Sequence, residues 1–326
     1  MSFRIHDGIH LPRFAHEMLS ACPATGGGVH LWLFRMARVL HPFFEDKGRM
    51  ADLLAQASAG CGREVPESEI LSAIANSQAC AWQPRGKLGL GRDRQPVSRP
   101  VSLETASPSF SSWPQRNDEQ IEAVVAASDV AGLADLWEAS PVRPDWEEPQ
   151  TEELIDRLFP GNPLLCCGKH INRDIGTGTR EEWRGQLAVQ QFIVPSPMTA
   201  EEGSKKSGTG TSVRCLDNTG PRRYLVIEFD QGTKDTHAVV LWHLARLAPL
   251  VMVVHSGGKS LHGWFACQGS SEALQLRFMR YAVMLGADPA TWTRCQFVRM
   301  PDGLRRRPSA FGVRQSVFYF NPNNLP

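Results

Sequence analysis

Apolar side chains recur at helical spacing through the first quarter of the chain. Gly28–Leu40 carries Leu31, Leu33, Phe34, Met36, Ala37 and Leu40 in a pattern that predicts a helix. Asp46–Ala59 predicts a second, with Met50, Leu53, Leu54 and Ala57 on one stripe. Pro66-Glu67-Ser68-Glu69 opens a third, with proline and acids where a helix start favours them. Residues 1–84 are therefore expected to form a helical module for packing or docking. The pattern then lapses: Pro, Ser, Gly and Arg dominate from Gln83 to Asn117, which predicts a linker over 85–117, open to proteases. A helix is expected over Asp118–Ser140, and a proline-rich stretch from Pro141 to Pro149 completes a helical lead-in (118–149) to a second domain, 118–326.

In that second domain the period alternates. Tyr224–Asp230, Leu250–His255 and Ser260–Cys267 read as strands, Thr236–Ala248 and Ser271–Leu285 as helices, and a last strand lies within 295–300 or 313–320. The order is β-α-β-β-α-β, the ferredoxin-like or RRM-like unit. Before it, Leu164–Gly168 and Gln191–Pro195 read as strands and Thr179–Ala188 as a helix, an additional α/β layer. The expected class is α+β.

Composition narrows the function. With 42% hydrophobic and 21% charged residues in 326, the chain can bury a core and is not disordered as a whole. Apolar runs such as Pro249–Val254 fall far short of the ~20 residues a membrane helix needs, and the first residues lack a signal core, so a cytoplasmic protein without a membrane partner is expected. Thirty-five basic against 34 acidic residues exclude a basic coat but leave room for a basic patch. The eight cysteines form no Cys-x-x-Cys pair, so reduced thiols are expected, with Cys166, Cys167 and His170 as a second, metal-binding reading.

Strand alternation puts Val226, Glu228 and Asp230 on one face and Leu225, Ile227 and Phe229 on the other, which the helices should cover. The third strand adds Ser260 and His262, and in this topology first and third strands are neighbours at the sheet centre. Two close carboxylates repel unless a cation lies between them. Paired Mg²⁺ or Mn²⁺ ions holding a nucleoside triphosphate suit such acids; two solvated acids at a strand end are the plainer reading. The turn Ser256-Gly257-Gly258-Lys259 offers amides and one ammonium group to phosphates, though it lacks Walker A spacing.

Glu228-x-Asp230, Ser260-x-His262 and the acid in Gly286-Ala287-Asp288-Pro289 together resemble the three motifs of the archaeo-eukaryotic primase superfamily, over roughly residues 150–322. The likeness is to the replication primases and primase-polymerases of plasmids and phages, and Arg299–Gly303 with Val313–Pro322 shares in it. The resemblance implies a DNA primase or primase-polymerase, transferring nucleotides from NTPs or dNTPs on a single-stranded DNA template. It implies metal ligands at Glu228, Asp230 and Asp288, and nucleotide contacts at Ser260, His262, Lys259 and Arg299. Glu228 stands where the family more often has Asp, and Asp302 is the rival third acid. A replicative helicase or another replication protein is a candidate partner.

Arg294–Arg314 holds six arginines and one acid, so Arg305, Arg306, Arg307 and Arg314 are expected to meet nucleic-acid phosphates. Trp292 and Phe297 are either base-stacking or core residues. Three other readings compete. A rolling-circle nickase needs a His-x-His pair and a nucleophilic tyrosine, but His262 is followed by Gly263-Trp264 and only Tyr224, Tyr281 and Tyr319 exist. An RNA-recognition module would carry aromatics where Glu228 and Asp230 stand. A primase-like protein that binds nucleotide or DNA without catalysis is the third.

Overall fold

A computed structural model describes residues 13–25, 29–78, 112–128, 132–143, 149–306 and 312–326, with 9, 11, 81 and 130. The chain divides into two compact units, residues 1–91 and 92–326. Residues 82–111, which take in most of the linker expected over 85–117, and Arg307 lie outside the described residues.

The first unit is helical: α1 (Arg13–Leu19), α2 (Val29–Leu40), α3 (Lys47–Ser58) and α4 (Glu67–Ser77). Asp46 starts α3 by accepting the Gly48 N–H at 2.7 Å, and Glu67 and Glu69 lie in the first turn of α4. Leu33, Met36, Leu40, Met50, Leu54, Ile70 and Ile74 are buried between the helices. Arg63 closes the α3–α4 turn as a two-pronged pair with Glu69, at 2.9 and 2.7 Å.

The second unit is α+β. Its elements are α5 (Asp118–Ala126), α6 (Leu133–Glu138), α7 (Thr151–Leu158), β1 (Leu164–Gly168), β2 (Ile175–Thr179), β3 (Phe192–Ile193), β4 (Gly203–Ser204) and β5 (Thr211–Ser212). They continue as β6 (Tyr224–Glu228), α8 (Lys234–Leu244), β7 (Leu250–His255), β8 (Leu261–Ala266), α9 (Glu272–Met284), β9 (Val298–Arg299), β10 (Leu304–Arg305), β11 (Val313–Arg314) and β12 (Val317–Phe320). One antiparallel sheet has the order β12-β7-β8-β6 and another β2-β1-β3-β9; β4-β5 and β10-β11 are separate hairpins.

The structure corrects the expected sheet in two ways. The first, third and second strands of the β-α-β-β-α-β run do lie side by side as β6, β8 and β7, but β12 pairs with β7 rather than β6. This leaves β6 at an edge, not at the centre. Beside it, where a ferredoxin-like sheet closes, runs the short segment after α9: Phe229 bridges Ala287, and the Asp288 N–H donates to the Glu228 carbonyl at 2.8 Å. The second correction concerns the open face. Tyr224, Val226, Met252, Val254 and Trp264 pack against Leu154, Ile155 and Leu158 of α7, against Leu165, Cys167, Ile193 and Val298 of the second sheet, and against Met300 just after it. Apolar residues on both faces of a strand demand cover on both.

Two expected helices differ. Asp118–Ser140 is broken into α5 and α6, because the Ser128 hydroxyl accepts the Val130 N–H at 3.1 Å and Gly132 admits the Asp235 carboxylate, which caps Leu133 N–H at 3.0 Å. Thr179–Ala188 is the end of β2 followed by turns, with Gly185 at φ 76°. There Arg180, 2% exposed, is drawn inward to Glu152 and Asp156 at 2.7 and 2.8 Å. Among the described residues no helix is long and apolar enough to cross a membrane.

Candidate functional site

Glu228 ends β6, opposite His262 in the ladder, and its side chain is 22% exposed. The strand holds it there because Leu225 and Ile227 are locked under the helices while Tyr224 and Val226 are locked under the second sheet. Asp230 follows in the turn and is exposed. Asp288 reaches the same place from the far end of α9. Its amide is fixed to Glu228, and its Oδ1 accepts the Ala290 N–H at 2.9 Å to start a short 3-10 turn.

Burial pushes the Glu228 carboxyl up to about 7; the Arg299 guanidinium opposes the rise, and the Asp288 and Asp230 carboxylates add to it. Three acids from two segments distant in sequence thus share one field. Burial also holds His262 well below the usual imidazole range, with Arg299, His255 and His237 adding to the effect. His262 Nε2 lies 3.5 Å from Glu228 Oε1 and 3.4 Å from Ser260 Oγ, at the outer limit of a hydrogen bond. With a neutral imidazole and a carboxyl near half-protonation, this is a polar contact rather than an ion pair. His262 Nδ1 is buried without a hydrogen-bond partner.

The glycine turn joins β7 to β8. Ser256 Oγ accepts from the Ser260 N–H at 3.2 Å and from Ser260 Oγ at 3.1 Å, and His255 Nε2–H donates to the Gly258 carbonyl at 3.0 Å. Lys259 is exposed on this turn. Gly257 adopts φ 68°, which favours glycine, and the Arg305 chain lies directly against it. Arg305 Nη1 donates to the Ser256 carbonyl at 3.0 Å. Arg299 leans over the Phe192 ring at 4.8 Å, its Nη1 is buried with no hydrogen-bond acceptor, and burial together with Arg305 brings it down to about 10.

The expected residues therefore separate. Glu228, Asp230 and Asp288 interact electrostatically, Ser260 and His262 stand beside Glu228, and Arg299 faces the same field. Arg305, expected on nucleic acid, braces the glycine turn from its place in β10, a contact that no sequence pattern announces. Arg306 is exposed and its backbone N–H donates to Gln191 Oε1 at 3.1 Å. Arg314 does not reach out: Nη1 donates to the Asp302 carbonyl at 3.1 Å. Asp302 is 4% exposed and accepts the Gln150 N–H at 2.9 Å, an interior brace. Trp292 is covered by the Arg222 guanidinium and Phe297 by that of Arg214, so neither ring is bare for a base.

The competing chemistry is also placed. Cys166 and Cys167 are free, fully buried and pushed up by burial, and His170 pairs with Asp174 at 2.8 Å, so these three form no ligand set. Each tyrosine is engaged: Tyr224 with the Leu158 carbonyl, Tyr281 with His243, Tyr319 with Asn321. Among the described residues no three His, Cys, Asp or Glu side chains are gathered closely enough to hold a metal ion. No family model, curated protein or solved structure matches the chain.

Proposed function

We propose that the chain is a primase-polymerase-like nucleotidyltransferase acting on single-stranded DNA, built on an RRM-like unit whose fourth position is filled by the segment carrying Asp288. One observation carries this reading: three acids from two distant segments share a field with a half-buried arginine whose buried Nη1 lacks an acceptor, beside Ser260 and His262. Unsatisfied buried cationic hydrogens next to repelling carboxylates suit a triphosphate and its counterions better than they suit an empty surface.

The donor set is all carboxylate oxygen, which fits Mg²⁺ or Mn²⁺. Bound divalent ions would supply charge neutralisation at the phosphates and lower the pKa of a primer 3′-hydroxyl. Glu228, Asp230 and Asp288 would hold them, which requires the three carboxylates to draw closer together than they stand in the structure. The chain's own part is positioning: Arg299, Ser260 and Lys259 orient the triphosphate, the neutral His262 fills the floor and excludes water, and Arg305 keeps the glycine turn in place. The primer 3′-oxygen then bonds to the α-phosphorus, pyrophosphate leaves, and the hydroxyl proton passes to solvent.

The test is synthesis on single-stranded DNA, primed and unprimed, with labelled NTPs or dNTPs and Mg²⁺ or Mn²⁺. Incorporation by the wild type and a loss of at least ~100-fold in Asp230→Ala are expected. One observation favours a second reading, a primase-like protein that binds nucleotide or DNA without catalysis: the acids stand apart from any closed ligand group. Nucleotide binding without incorporation under every metal would establish that reading instead.

A further inference from the structure

The β4–β5 hairpin combines a fixed root with a bare tip. At the root, Asp217 Oδ2 accepts the Ser204 N–H at 2.8 Å, Asn218 Oδ1 accepts the Cys215 N–H at 2.9 Å, and the Asn218 amide donates to the carbonyls of Ala200 and Val213 at 3.2 and 3.0 Å. Gly203 leaves no room for a Cβ against Asn218. At the tip every residue from Lys205 to Gly210 is exposed, and a Cβ on Gly208 or Gly210 would meet nothing within 4 Å. From Gly203 to Ser212 the hairpin has no apolar side chain, so core burial does not stabilise it.

What it presents is two ammonium groups, Lys205 and Lys206, among the hydroxyls of Ser207 and Thr209 and glycine amides. Of the acids beside it, Glu202 takes the Thr211 hydroxyl and Asp217 the Ser204 amide, while Glu201 is exposed just before β4. β2 and the β1–β2 turn are joined to this root, β2 through Thr177 Oγ1 donating to the Val213 carbonyl at 2.7 Å and the turn through Arg214 Nη2 donating to the Ile171 carbonyl at 3.4 Å. That turn adds exposed Arg173, and Ile171 and Leu216 stand 48% and 46% exposed nearby. A stack then runs back to the acids. Arg214 lies over Phe297 at 4.2 Å, Phe297 stacks on Phe192 at 5.6 Å, and Arg299 lies over Phe192 at 4.8 Å.

We propose that the β4–β5 hairpin and the β1–β2 turn form a second contact for single-stranded nucleic acid, gripping its phosphates at a distance from the acids. The inference rests on the nucleotidyltransferase reading for its partner. Cations and small hydroxyls match a phosphate backbone, and the exposed Ile171 and Leu216 match sugar and base faces. The Arg299–Phe192–Phe297–Arg214 stack fixes this contact rigidly to the triphosphate side.

The experiment uses the full chain and a labelled oligothymidylate of about 20 nucleotides. Anisotropy is followed across a salt series for wild type, Lys205→Ala/Lys206→Ala and Lys205→Glu/Lys206→Glu, with thermal melts as a check on folding. The expected result for the alanine pair is a salt slope lower by about 1.4, two contacts at about 0.7 each. Its affinity should fall about tenfold, and the glutamate pair should lose more. Mn²⁺-dependent binding of a fluorescent nucleoside triphosphate should not change in either. Unchanged oligonucleotide binding in both variants, or none by the wild type, overturns the proposal. Loss of binding in the variants while the wild type incorporates no nucleotide upholds this surface and removes the polymerase reading. If incorporation proceeds and the variants bind DNA normally, the polymerase reading stands and this surface does not.

Discussion

Burial and two neighbouring carboxylates push the Glu228 carboxyl up to about 7, so near neutral pH the fold closes around a half-protonated acid. The unfolded carboxyl titrates near 4.5, so between 4.5 and 7 the folded chain holds the extra proton and stability falls as pH rises. Glu228→Gln removes that loss. Its advantage in stability over wild type, followed by melts across pH, should grow from pH 4.5 to about 7 and level off above it, with a ceiling of about 3 kcal/mol reduced by partial exposure. A difference that stays flat with pH would contradict the buried-acid account. His237 has the opposite sign: burial takes it from 6.5 down to about 4, so its stabilising share is lost as pH falls through that range. The rival acids separate by the same logic. Asp302→Ala strips an acceptor from Gln150 and Arg314 and should cost about 1–3 kcal/mol in stability while sparing primer extension. Asp288→Asn should do the reverse, and extension assays beside melts decide between them.

Among elements, α8 presses directly on β8: a Cβ at Gly263 would run into Leu241. Gly263→Ala should destabilise the chain by about 1–3 kcal/mol and blur the His262 position, read as a lower denaturation midpoint. Periodicity made the principal helices and the strands β6, β7 and β8 legible to within a few residues, because each has a strong amphipathic or apolar pattern. The edge position of β6 was not legible, since β12 and the 286–288 segment are too short to announce their partners. The covered face was legible in principle. Tyr224-Leu225-Val226-Ile227 is apolar at every position, the mark of a strand buried on both sides. Glu228, Asp230, Ser260 and His262 could be grouped from strand alternation, whereas Asp288 joined them only through the motif resemblance. Arg305 on the glycine turn and the Phe192–Phe297 stack could not, because they depend on how two sheets meet.

At the scale of the chain, residues 112–117, expected within the linker, are tied to the second unit. Arg280 donates to the Ser112 carbonyl, Trp113 packs edge-on to Trp292, and the Asn117 N–H donates to the Met284 carbonyl at 2.9 Å. A truncated chain should therefore start before Ser112, not at Asp118. Starting at Arg92, it should fold and extend a preformed primer within about threefold of full length, since every proposed ligand lies in that unit. Unprimed synthesis should fall further if the helical unit helps to hold the template or the first nucleotide. Equal loss of both activities in a folded truncated chain would make the helical unit part of the catalytic machinery.

The main-chain bond from the Asp288 amide to the Glu228 carbonyl has a practical corollary. It acts as a clasp between two distant segments and does not need the carboxylates it brings together. Neutral side chains at 228 and 288 leave it fastened, so the molecule can be disarmed without being unbuckled. Such a doubly amidated chain is the form in which to look for the unreacted template and triphosphate of the proposed reaction.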